Sequence, residues 1–114
     1  LADSYNIQID QGATYTLALS YKDSAGAPIN LTNYTAAMQL RKTVGSATAD
    51  LSLTSSSGIV ITGATGLLNI TITATQSRDL VPDIYVYDLE ITSSAGVVTR
   101  LIEGSAVVSA EVTR

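Results

Sequence analysis

The sequence predicts an all-β protein, an antiparallel β-sandwich of seven to nine short strands. Three observations carry that prediction. Apolar residues alternate with polar ones over short runs, the period of a half-buried strand. Clusters of Gly, Pro, Asn, Asp and Ser separate the runs at intervals of about 8–12 residues. No stretch repeats apolar residues at helical spacing for more than about one turn.

Ser4 to Ile9 alternates through Tyr5, Ile7 and Ile9. It reads as a first strand, or as an extended arm within residues 1–11. Gly12 interrupts it, the mark of a kink or bulge. Ala13 to Tyr21 sets Tyr15, Leu17, Leu19 and Tyr21 on one face. Lys22 to Pro28 is a turn with Asp23 and Gly26 placed for turn chemistry, and Ile29 to Tyr34 is short and irregular. Thr35 to Lys42 turns Ala36, Met38 and Leu40 inward. Thr43 to Gly58 is small and polar, a loop holding a short strand around Asp50 to Leu53. Gly58–Thr62 and Leu67–Thr73 form a hairpin across Gly63-Ala64-Thr65-Gly66, with Ile59, Ile61, Leu68, Ile70 and Ile72 facing in. Ala74 to Leu80 is the one stretch able to form a helical turn, near residues 75–80, with Thr75 as its N-cap. After Pro82, Tyr85, Tyr87, Leu89 and Ile91 alternate along a long strand. Ser93 to Gly96 closes a hairpin, Val97 to Ile102 returns, and Gly104 breaks the ladder before Ala106 to Val112.

At 114 residues the chain makes a single domain, residues 1–114. Hydrophobic residues make up 46%, which excludes disorder by composition. Charged residues are only 14%, against roughly 25% in an average domain. Ser and Thr take their place, and such a surface suits repeated packing against other chains; it also suits a secreted module. The net charge of −4 argues against nucleic acid, which requires basic patches. The basic residues are scattered, with Arg41-Lys42 the only adjacent pair. No cysteine is present, so there is no disulfide framework, and the balance leans towards assembly in the cytoplasm. No apolar run approaches the ~20 residues that cross a bilayer, so no membrane partner is expected. The sequence opens at Leu1 with no signal-like segment; an opening other than Met means residues were removed or left out upstream.

Histidine and cysteine are both absent, which rules out Ser-His-Asp and Cys-His catalysis and histidine-based metal sites. The thirteen serines read as surface and turn residues. Two carboxylate pairs remain, Asp79 with Asp83 and Asp88 with Glu90. Asp88 and Glu90 share the strand face opposite the tyrosines, towards solvent or a neighbour. No Trp or Phe supplies the aromatic platform of a glycosidase cleft. Asp79 and Asp83 supply two calcium ligands at best. Gly58, Gly63 and Gly66 lack a following Lys-Ser/Thr and are turns. The Asn-x-Thr triplets at Asn30, Asn33 and Asn69 are what Thr-rich strands generate by chance. No catalytic, cofactor-binding or metal-binding residue is expected, no cofactor, and no enzyme.

Several phrases point further. Gln11-Gly12-Ala13-Thr14-Tyr15 enters the second strand; Asp23 to Tyr34 precedes Ala37-Met38-Gln39-Leu40-Arg41; Tyr85 to Ile91 is followed by Gly96 to Gly104; and the chain ends Glu111-Val112-Thr113-Arg114. A strand, a helical turn, a corner at Pro82 and a strand with two tyrosines resemble the E–F corner of immunoglobulin-like domains. Tyr85 is the first candidate for the corner hydroxyl and Tyr87 the second. The whole order is similar to small immunoglobulin-like domains of tailed-bacteriophage virion proteins, such as the amino-terminal domain of baseplate upper proteins and standalone head or tail accessory proteins. One departure is Asp83, where a Gly is expected before the tyrosine strand. The resemblance implies an immunoglobulin-like β-sandwich and a non-enzymatic virion protein, assembled in the bacterial host cytoplasm. Its implied partners are the major capsid protein or tail and baseplate proteins, with self-association a further option. Head decoration (cement) is favoured over tail, because the chain is one domain without a receptor-binding extension. An arm carrying Tyr5, Ile7 and Ile9 would add as a strand to a partner's sheet edge; alternatively it is the first strand of its own sandwich. The rival function is an extracellular adhesin or carbohydrate-binding module of the same fold.

Overall fold

The computed structural model describes residues 3–113. Among the described residues, nine strands run in chain order as β1 (Asp3–Ser4), β2 (Ile7–Asp10), β3 (Tyr15–Ser20), β4 (Thr35–Arg41), β5 (Leu51–Thr54), β6 (Ile59–Thr62), β7 (Leu67–Ile72), β8 (Ile84–Thr92) and β9 (Val98–Ser109). A 3-10 turn (Gly63–Thr65) joins β6 to β7, and a short helix α1 (Ala74–Arg78) precedes β8. One sheet has the order β1-β9-β8-β4-β5, with β2 also on β9; the other is β3-β7-β6.

Both sheets turn an alternating apolar face onto one core. From the larger sheet come Ile7, Ile9, Met38, Leu40, Leu53, Tyr85, Leu89 and Ile91; from the smaller come Ile59, Leu68, Ile70 and Ile72. Strand β8 is the spine. Leu89 lies between Met38 on β4 and Ile102 on β9, and Ile91 between Ala36 and Thr99. The period-2 pattern fixes this register, because a one-residue slip would turn every one of these side chains to water.

Pairing is mostly antiparallel, with one correction. β1 and β2 run parallel to β9, Ile7 opposite Ala106 and Ile9 opposite Val108. A tight connection between neighbours in one sheet gives antiparallel strands. Here the turn after β2 crosses to the other sheet, so β2 takes its direction from β9 instead. The predicted first strand is also split in two, with Tyr5 and Asn6 between β1 and β2.

Gly104 does not break the last strand, which runs unbroken through it. The irregularity lies between Leu89 and Glu90, where Leu101 is the extra residue on β9. The bulge brings Leu101 and Ile102, adjacent in sequence, both into the core. The helix is capped by Thr73, not Thr75. Thr73 accepts from the Gln76 N–H at 3.1 Å while the Gln76 side chain accepts from the Thr73 N–H at 2.9 Å, a reciprocal capping box. The 3-10 turn is a second helical element beyond the one expected near residues 75–80.

Candidate functional site

Two constructions involve the singled-out residues: a corner before β8 and an arm along β9. In the corner, the Tyr85 hydroxyl donates to the Val81 carbonyl at 2.6 Å, four residues upstream. Leu80 is buried beside it while Val81 and Pro82 stay exposed on the outside of the bend. Asp83, the residue standing where glycine was expected, closes the bend with its own side chain. Its Oδ1 accepts from the Ile84 N–H at 2.7 Å, its carbonyl accepts from the Val108 N–H at 2.9 Å, and Lys42 Nζ lies 3.4 Å from Oδ2. The Ile84 N–H first, and Lys42 second, hold the Asp83 carboxyl below the usual carboxylate range. Lys42 also sits 5.8 Å from the centre of the Tyr85 ring. Burial pushes the Tyr85 hydroxyl up, so it remains a donor and is no acid–base group near neutral pH.

Tyr87 does not share the corner. Its hydroxyl donates to the Tyr5 carbonyl, tying the centre of the larger sheet to the arm. Burial, and then Tyr15 and Tyr5 nearby, push its pKa up to about 12. The kink in the arm is held at two further points. Tyr5 N–H donates to the Glu103 carbonyl at 2.8 Å, and Asn6 Oδ1 takes the place of a backbone acceptor for the Ser105 N–H at 3.0 Å. Gly104 makes the approach possible, since a Cβ there would collide with the Tyr5 carbonyl oxygen. Ile7 and Ile9 are fully packed in the chain's own core, and only Tyr5 stays half exposed. The arm is therefore the first strand of its own domain, and the partner-binding reading of Ile7 and Ile9 is corrected accordingly.

A polar knot anchors the arm's far end. Gly12, at φ +84°, gives its N–H to Ser77 Oγ at 3.0 Å, and Ser77 Oγ donates to the Ala13 carbonyl at 2.8 Å. Gln11 Nε2 donates to the Leu80 carbonyl at 3.0 Å, and Gln11 Oε1 accepts from the Glu111 N–H at 3.0 Å. Arg78 Nε is 3.5 Å from Glu111 Oε1. Ser77 is wholly buried, unlike the surface role expected of the serines. Its burial is tolerable because its hydroxyl is bonded on both sides.

The two outer faces differ. On the larger sheet, Gln39, Arg41, Val86, Asp88, Glu90 and Arg100 line a shallow depression of about 520 Å³. Arg100 pairs with Asp88 at 3.3 Å and with Glu103 at 3.1 Å, so the Asp88–Glu90 pair is partly neutralised. On the smaller sheet, no strand contains a charged residue, and the outward positions are Thr16, Ala18, Ser20, Val60, Thr62, Leu67, Asn69 and Thr71. The signal was present in the sequence, where residues 11–21 and 51–77 hold no charge at all. Among the described residues, no three acidic, His or Cys side chains cluster to hold a metal ion, and no helix is long and apolar enough to cross a membrane. The chain matches no family model and no curated protein.

Proposed function

We propose that this chain is a non-enzymatic structural component of a tailed-bacteriophage particle. In this reading it is an immunoglobulin-like β-sandwich that binds other virion proteins, as head decoration first and as a tail or baseplate component second. The strand order supports the fold assignment. β3-β7-β6 facing β9-β8-β4 follows the order of the B-E-D and G-F-C strands of such domains, and the Tyr85–Val81 bond has the form of their tyrosine corner.

The observation that carries the function is the charge-free outer face of the smaller sheet. A subunit that docks on a symmetric shell repeats one contact many times, and many weak contacts sum by avidity. A face of Thr, Ser, Ala, Asn, Val and Leu can be covered without desolvating a charge, the largest single cost of burying polar surface. The polar side chains that are well ordered serve construction, with tyrosine hydroxyls on backbone carbonyls and Arg100 between two acids.

Mass spectrometry of purified particles, with co-sedimentation of the isolated chain on particles lacking it, tests the reading. The chain is expected among the virion proteins and bound to heads. Absence from particles together with no binding to heads or tails overturns it, and sugar binding on a glycan array would replace it by the carbohydrate-binding module.

A further inference from the structure

The longest uninterrupted open strand edge among the described residues belongs to β3, since β7 pairs with it on one side only. The Tyr21 N–H bonds the Gly66 carbonyl at 2.8 Å, which fixes the phase of the ladder. Tyr15, Leu17, Leu19 and Tyr21 turn their backbone groups to β7, while Thr16, Ala18 and Ser20 turn theirs outward. These outward N–H and C=O groups have no partner among the described residues. Sheet edges are ordinarily blunted by charge, proline or a bulge, and β3 has none of these. Its core-side residues Tyr15, Leu17, Leu19 and Tyr21 are only half-buried.

We propose that a second copy of this chain occupies that edge, β3 pairing antiparallel with β3 about a two-fold axis at Ala18. The segment Tyr15-Thr16-Leu17-Ala18-Leu19-Ser20-Tyr21 reads the same in both directions apart from Thr for Ser. A two-fold contact sets residue i against j and j against i, so this near-palindrome pairs like with like along the whole edge. Ala18 meets Ala18, and Thr16 meets Ser20, so every outward N–H of one copy finds an outward C=O of the other. On the core side Leu17 meets Leu19 and Tyr15 meets Tyr21, favourable cross-strand pairs that remove half-exposed apolar surface from water. No charged residue lies within the paired segment Tyr15–Tyr21. No like charges face each other in this register. An interface of one short edge is smaller than the ~1,600 Å² of a standard complex, which puts the dimer in the micromolar to millimolar range. The pairing is separate from the virion reading, and it holds or fails in the purified chain alone.

Sedimentation velocity across a concentration series tests it, with far-UV circular dichroism and thermal melts confirming that each variant is folded. The native chain is expected to show a concentration-dependent dimer. Ala18→Glu sets like charges across the axis and is expected to weaken the dimer by about tenfold or more. Thr16→Lys with Ser20→Glu places opposite charges in register and should retain or tighten it, whereas Thr16→Glu with Ser20→Glu should weaken it. A native chain that stays monomeric to its solubility limit overturns the proposal. So does a dimer indifferent to Ala18→Glu, or one that both double variants weaken equally.

Discussion

Ile9→Ala distinguishes an arm that belongs to the chain's own core from an arm free to join a partner. Ile9 is completely buried, opposite Val108 in the parallel ladder. The substitution deletes three side-chain carbons, a transfer loss of about 2.4 kcal/mol at ~0.8 kcal/mol each. The cavity left behind adds to this, giving a total of about 3–4 kcal/mol. Against the ~5–15 kcal/mol that holds a typical domain together, this is a large fraction. It corresponds to a fall in melting temperature of roughly 10–20 °C for a chain of this size. Gln8→Ala is the matched control: Gln8 is exposed on the same strand and keeps its backbone pairing opposite Val107, so its change should stay within about 0.5 kcal/mol. Urea unfolding followed by far-UV circular dichroism measures both variants, and the midpoint should drop for Ile9→Ala with the slope unchanged. If Ile9→Ala and Gln8→Ala unfold alike, the arm is not docked and its apolar residues are available to another molecule.

Tyr87→Phe removes the hydroxyl from the Tyr5 carbonyl and should cost about 1 kcal/mol, the net worth of a typical hydrogen bond. Its pH signature is more specific. The folded pKa, about 12, is above the ~10 of a free tyrosine, so the stabilisation is fully present below pH ~10 and lost as pH rises through the folded value. Thermal melts at increasing alkalinity should show a shallower loss for Tyr87→Phe than for the native chain, and parallel profiles would refute this role. Leu89→Asp puts a carboxylate between Met38 and Ile102 in the core and should destabilise by about 4 kcal/mol or more. Glu90→Ala, on the outer face, should be nearly silent; comparable melting temperatures for the two would mean the β8 register is wrong.

What could be read in advance was whatever depends on neighbours in sequence. Alternation along Tyr85 to Ile91 gave the buried face of β8, and the tyrosine just after Pro82 gave the corner. The parallel arm was hidden because Tyr5, Ile7 and Ile9 show the same alternation whichever strand they pair with, and in either direction. In sequence Gly104 reads as a break because glycine weakens strands, yet its missing side chain lets the Tyr5 backbone approach. Two further features have local signals in the sequence. Thr73-Ala74-Thr75-Gln76 has the spacing of a capping box, and adjacent Leu101-Ile102 can share a core only through a bulge. Ser77 had no such signal, since only the distant Gly12 and Ala13 make its burial affordable.

The distribution of charge bears on which surface meets a partner. The sequence has sixteen charged residues, and none lies in β3, β6 or β7. Charges on the outer face of the larger sheet lie on the opposite side of the domain, so the path through solvent from them to the smaller sheet's outer face is longer than the ~8 Å Debye length at physiological ionic strength. A partner on the smaller sheet therefore feels little of the charge carried by Asp88, Glu90, Arg100 and Glu103 on the far face. Repulsion between copies with a net charge of −4 is weakest in that same approach. Contact through the smaller sheet should then be nearly independent of salt, while contact through the Asp88–Arg100–Glu103 face should weaken as salt rises if its partner is oppositely charged. The two faces thus offer different kinds of binding, and the neutral one is suited to packing copies that would otherwise repel.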